Sequence, residues 1–304
     1  MTEAIVEPAE TYTRIALHNI LYLTDFSEPS QAALPFAIVV AREFGATVHA
    51  LHILVPQPYI YSAVEMTGAA IEAQEENAQL EMLKVEAQLA GVPHEVAVVR
   101  GAGVWPALEH ASAACEANLI VLGTHGRTGV QKFLLGSVAE EIFRRSPVPV
   151  LTIGPWVRKS VHNAAHFRRV LFTTDFTADS LVALPYALSL AQENEARLIL
   201  LHVIGEREQM AARQRIETTV AHVLHELHEL VPKDAELWCR PEAVVEYGEP
   251  AARILEAAKE RDADLIVIGV RNKGGHLGAA THLERAVAHK IVAHANCPVL
   301  TVRG

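Results

Sequence analysis

The feature that most limits what this chain can fold into is an internal repeat, because self-similarity along a sequence imposes one local fold twice. Ile20-Leu21-Tyr22-Leu23-Thr24-Asp25-Phe26-Ser27 returns as Val170-Leu171-Phe172-Thr173-Thr174-Asp175-Phe176-Thr177. Leu34-Pro35-Phe36-Ala37 returns as Leu184-Pro185-Tyr186-Ala187, and Leu51-His52-Ile53 as Leu201-His202-Val203. Asn118-Leu119-Ile120-Val121-Leu122-Gly123 has its counterpart in Asp264-Leu265-Ile266-Val267-Ile268-Gly269. Pro149-Val150-Leu151-Thr152 closes the first copy and Pro298-Val299-Leu300-Thr301 the second. Blocks matched in the same order mark a tandem duplication, with one domain over residues 1–157 and another over 158–304. The stretch 155–168 has neither strand nor helix period and reads as the linker.

Within each copy, short Val/Ile/Leu runs alternate with longer helical periods, which predicts βαβ units on a parallel sheet. Strands are expected near 18–24, 46–54, 95–100, 118–123 and 148–153, and again near 169–174, 196–204, 242–247, 264–269 and 298–302. Val220, Val223, Leu224, Leu227 and Val231 form an apolar stripe at helical spacing. Leu80, Leu83, Ala87 and Ala90 are expected to serve the same purpose in the first copy. His222, His225 and His228 fall beside the second stripe, toward solvent, and span too wide an arc for one metal ion.

Composition excludes several classes of function. The net charge of −10 argues against a nucleic-acid partner, which needs a basic surface. No apolar run approaches the roughly 20 residues that span a bilayer, so no membrane role is expected. Cys115, Cys239 and Cys297 are isolated and odd in number, without a CxxC pair. That fits a reducing compartment. Glu3, Glu7 and Glu10 occupy the N-terminal stretch where a secretory signal needs basic residues, and the expected location is cytoplasmic.

The strongest chemical signal follows the fourth strand of the first copy. Gly123-Thr124-His125-Gly126 is followed, nine residues later, by Gly136-Ser137. A doubly wound sheet places its ligand at the carboxyl ends of its strands. Glycines there allow backbone N–H groups to approach a phosphate, and a helix opening at Ser137 favours an anion at its N-terminus. The competing reading is structural: Ser137-Val138-Ala139-Glu140 is also a capping box, and the glycines could merely shape a turn. Asp25 ends the first strand at the same edge, where it could accept hydrogen bonds from a ligand or help hold Mg²⁺. Its structural alternative is capping of the next helix by Asp25 or Ser27. A P-loop, a nucleophile elbow and an HExxH zinc motif are all missing.

Together these residues resemble the universal stress protein family in its tandem two-domain form, over nearly the whole chain. The resemblance implies two tandem doubly wound domains, each a five-stranded parallel sheet with helices on both faces. It also implies ATP as ligand, since nucleotide-binding members carry G-x2-G-x9-G-[ST], matched here by Gly123, Gly126, Gly136 and Ser137. By the same resemblance Asp25 and Ile53 fall at the adenosine part and Val138 beside the phosphates, while Leu23 stands where some binders have proline. Domains of the family pair through the last strand, so 148–153 is expected beside 299–302, with a homodimer left open.

The second copy departs from the pattern. Asn272 replaces the second glycine, and Arg285 and Ala286 align with Gly136 and Ser137. The leading expectation is therefore ATP bound in the N-terminal domain of a nucleotide-linked stress-response or regulatory module. A slow ATPase or phosphotransferase is the second reading, although Asp25, His125, Arg127 and Lys132 have no diagnostic spacing for it. A nucleotide-free pairing scaffold is the third.

Overall fold

The apolar runs and helical periods fold into the expected α/β units. The structure, a computed structural model, describes residues 14–55, 68–124, 135–157, 167–205, 216–233, 235–271 and 279–304. The first copy runs β1 (Asn19–Leu23), α1 (Glu28–Gln31), α2 (Leu34–Phe44), β2 (Thr47–Leu54) and α3 (Gly68–Gln88). It continues through β3 (His94–Arg100), α4 (Val104–Ala114), β4 (Leu119–Gly123), α5 (Ser137–Arg145) and β5 (Val150–Ile153). The second copy repeats this with β6 (Arg169–Thr173), α6 (Ala178–Leu181), α7 (Leu184–Glu193), β7 (Arg197–Ile204) and α8 (Ile216–Glu229). It ends with β8 (Glu242–Tyr247), α9 (Pro250–Glu260), β9 (Leu265–Val270), α10 (Ala279–His294) and β10 (Val299–Arg303). All ten strands fall within two residues of the expected bounds.

The strands form one sheet in the order β3-β2-β1-β4-β5-β10-β9-β6-β7-β8. Each half is parallel throughout, and β1 and β6 sit centrally in their halves, paired on both sides. Alternation along the strands feeds two cores. Ile20 and Tyr22 face the layer containing α2, α3, α7 and α8, while Leu21 and Leu23 face α4, α5, α9 and α10. Helices therefore cover both faces, and each core layer runs across both copies.

The halves meet at β5 and β10, which pair antiparallel with Val299 opposite Thr152, Leu300 opposite Leu151 and Thr301 opposite Val150. Two buried threonines reinforce the seam symmetrically. Thr152 Oγ1 donates to the Val299 carbonyl at 3.1 Å, and Thr301 Oγ1 to the Val150 carbonyl at 3.2 Å. The last strands therefore do lie side by side within the chain.

One helix face differs from expectation. On α3 and just beyond it Leu80, Leu83, Ala87 and Ala90 are all exposed, and Ala78, Met82, Val85 and Leu89 are buried instead. Both stripes have helical spacing, but the second packs on the sheet alongside the exposed leucines of the first. In α8 the expected face is the observed one, with Val223 and Leu227 buried and His222, His225 and His228 exposed. Of the expected linker, 155–168, residues 158–166 lie outside the described residues.

Candidate functional site

The C-terminal edge of the first half-sheet is shaped by the way β1 ends. Thr24 N–H makes a last ladder bond to the Leu51 carbonyl at 3.0 Å, and the chain then turns out of the sheet. Asp25 Oδ1 accepts from the Ser27 N–H at 3.0 Å and from the Ser27 hydroxyl at 2.5 Å. Ser27 in turn caps α1 by accepting from the Ser30 N–H at 3.3 Å. The capping alternative for Ser27 is thus realised, and Asp25 braces the cap.

The second copy builds the same turn from Asp175, Thr177 and Ser180. Burial opposes the charge of Asp175, but hydrogen bonds from Thr177 and Ser180 outweigh it and hold its carboxyl below the ordinary range. Tyr22 completes the setting of α1 by donating its buried hydroxyl to the Ser30 carbonyl at 2.9 Å. Burial pushes the Tyr22 phenol up to about 12, so it remains a donor.

Gly123, at the end of β4, has a packing reason to be glycine. A Cβ there would lie 2.4 Å from the Pro29 carbonyl oxygen and 2.7 Å from its carbon. Gly269 stands in the same relation to α6, where a Cβ would meet the Asp179 carbonyl oxygen at 2.2 Å. The survival of this glycine in the second copy follows from helix-to-strand packing and requires no ligand there.

The start of α5 is built differently. The Gly136 N–H donates to the Thr124 carbonyl at 2.8 Å, tying the helix start to the end of β4. Gly136 is the N-cap residue at φ −59° and ψ 146°, a conformation open to any residue, and no side-chain cap is formed. Ser137 is already the first helical residue, so it does not cap the helix as the Ser137–Glu140 box requires. Ser137 and Val138 are exposed at this helix start. Four N–H groups at any helix start lack intrahelical partners and carry the positive end of the helix dipole.

Ile53, half-buried near the end of β2, lies opposite Val99 of β3, and its Cγ2 lies 3.5 Å from where a Cβ on Gly101 would sit. Asp25, Ile53, Gly123, Gly136, Ser137 and Val138 thus come to one edge of the half-sheet. Gly126, with His125, Arg127 and Lys132, lies outside the described residues.

In the second copy α10 spans Ala279–His294, so Arg285 and Ala286 sit well inside a helix. Their backbone N–H groups fall beyond the first turn, where the helix uses them internally. The sequence suggested blockage by a side chain; the extended helix is a further difference. Asn272 lies outside the described residues. Nearby, Arg271 Nε meets Asp179 Oδ2 at 2.7 Å. Among the described residues no group of three His, Cys, Asp or Glu side chains could hold a metal ion.

Sequence reasoning passed over His52 and His202, which are buried at these edges. Their recurrence in the Leu-His-Ile and Leu-His-Val blocks was the available signal.

A model of the universal stress protein family matches residues 16–154 and again residues 166–303. The chain belongs to the universal stress protein family. It holds two universal stress protein domains in tandem, and a relative with that length supports the reading. This universal stress protein of Mycolicibacterium smegmatis is 29% identical over 302 residues, covering 94% of this chain and 97% of its own. A universal stress protein of Methanocaldococcus jannaschii is 34% identical over 138 residues, 44% of this chain and 81% of its own. The crystal structure of a universal stress protein from Archaeoglobus fulgidus shares the fold with a TM-score of 0.66 at 23% identity, covering 94% of this chain and 98% of its own. No helix among the described residues is long and apolar enough to cross a membrane.

Proposed function

We propose that the N-terminal domain, residues 1–157, binds ATP at the C-terminal edge of its half-sheet. The chain would then act in the cytoplasm as a nucleotide-linked stress-response or regulatory module. The observation that carries this reading is the start of α5, which meets the end of β4 without a side-chain cap. The aligned point of the second copy lies inside α10. Uncapped N–H groups at a strand's carboxyl end suit a phosphate chain.

In this reading Gly136, Ser137 and Val138 line the phosphates, with Gly126 and Gly123 completing the loop. Ile53 lies against the adenosine part, and Asp25 accepts from a ribose hydroxyl. Mg²⁺, if it accompanies the nucleotide, would be held chiefly by the phosphates, with Asp25 as a carboxylate at the same edge. The C-terminal domain, residues 158–304, supplies the paired half-sheet and a degenerate nucleotide loop. Purified protein is expected to release adenine nucleotide on heat denaturation and to bind added ATP. Protein that carries none and gives no calorimetric signal with ATP would leave a pairing scaffold as the function.

A further inference from the structure

Each copy contains a buried histidine that takes the place of a ladder partner at the end of its central strand. The Thr24 carbonyl, just past β1, lies 2.8 Å from His52 Nδ1. A carbonyl only accepts, so Nδ1 carries the proton. One residue beyond Asp25, Phe26 has φ 64°, a left-handed backbone that a bulky side chain rarely adopts. Its ring stacks on the His52 imidazole with centroids 4.2 Å apart, and its N–H donates to Thr24 Oγ1 at 3.0 Å. His52 therefore grips the residues on both sides of Asp25, by a hydrogen bond to one and by ring contact with the other.

The second copy repeats the device. His202 Nδ1 lies 2.9 Å from the Thr174 carbonyl, Phe176 has φ 60°, and the two rings lie 5.0 Å apart. Unusual backbone held twice in the same place calls for a cause, and strained residues concentrate where geometry must be kept. We propose that His52 is the positioning residue of the nucleotide site: it ends β1 at Thr24 and holds Phe26, so that Asp25 is set at the edge where the ligand lies. The proposal rests on the reading of the first copy as the ATP site. The bland alternative is that the histidine only terminates a strand, and it makes the two copies equivalent.

The duplication supplies its own control. In the full-length chain, His52→Phe keeps a ring for Phe26 but removes the donor. His52→Asn keeps a donor the same number of bonds from Cα as Nδ1, while His52→Gln moves it one bond further out. His202→Phe makes the first change in the copy whose aligned point lies inside a helix. Calorimetric titration with Mg-ATP and thermal melts would be recorded for each.

We expect His52→Phe to weaken ATP binding by at least about tenfold, and His202→Phe to leave it within about twofold of wild type despite a similar loss of melting temperature. His52→Asn should recover most of the affinity and His52→Gln should not. Wild-type affinity in His52→Phe, or equal weakening by His202→Phe, would overturn the assignment. Should His52→Phe not fold, equal ATP binding by the Asn and Gln variants would overturn it as well. Wild-type protein that binds no ATP would instead overturn the nucleotide reading, and this role with it.

Discussion

Gly123→Ala tests whether the first glycine of the motif serves packing or ligand. The added Cβ would stand 2.4 Å from the Pro29 oxygen and 2.7 Å from its carbon, with Ser30 N at 3.0 Å. Ordinary contact begins at 3.4 Å, so α1 and β4 would have to separate by about 1 Å. Both sides are anchored. Ser30 is tied to Tyr22 through its carbonyl and to Thr24 through its hydroxyl, and Thr24 and Tyr22 belong to β1 or its immediate end.

Overpacking that forces backbone apart costs about 1–3 kcal/mol. At roughly 2–4 °C per kcal/mol for a unit of this size, the melting temperature should fall by about 2–12 °C. The assay is a thermal melt followed by circular dichroism, without nucleotide and with saturating ATP. Gly269→Ala should cost at least as much, because its Cβ would meet backbone at 2.2 Å. Gly136→Ala should leave the melt unchanged or slightly higher, since its φ and ψ suit any residue. A Gly123→Ala protein that melts like wild type but has lost ATP binding would refute the packing argument.

Three further outcomes follow from the same geometry. Gly136→Arg should fold and bind ATP at least about tenfold more weakly, roughly 1.4 kcal/mol; full affinity in the folded variant would place the phosphates elsewhere. Calorimetry should find one ATP per chain, because the aligned N–H groups of the second copy are inside α10; two equivalent sites would refute this. Glu43, at the end of α2, is pushed up to about 7 by burial, with the nearby Glu193 charge adding to the effect and a hydrogen bond from Asn194 opposing it. The folded chain thus keeps this proton to higher pH than the unfolded chain. Its contribution to stability is complete below the ordinary glutamate range and is lost as pH rises through about 7. Melting temperatures between about pH 5 and 8 should fall more steeply for wild type than for Glu43→Gln, and equal slopes would dismiss the effect.

The strands were legible because a parallel sheet buried on both faces demands near-continuous apolar runs, and Leu119–Gly123 and Leu265–Val270 are such runs. The helix faces were less so. In α3, Leu80 and Leu83 look like core by size, yet each is 58% exposed while the smaller Ala78 is buried. Hydrophobic spacing alone does not decide which of two apolar stripes meets the sheet.

The glycine pattern located an edge but not the separate causes behind it. Gly123 answers to α1, whereas Gly136 begins a helix. The change in the second copy was visible as Arg285 and Ala286, but the added helical turns before them depend on how α10 starts, which a residue-by-residue alignment does not reveal. His52 was hidden by the abundance of histidine, since a buried imidazole and a surface one are the same letter.

The antiparallel seam between β5 and β10 changes what mutation can do to this molecule. When two identical chains pair about a twofold axis, every substitution at the interface is made twice and must suit itself. Fusing the copies frees each side to vary alone, although Thr152 and Thr301 still make equivalent bonds, to the Val299 and Val150 carbonyls. Tethering also makes the encounter intramolecular, so that pairing does not weaken on dilution. The ligand edge of one half can then change, as the helix start does at α10, while that half remains necessary as the other side of the sheet.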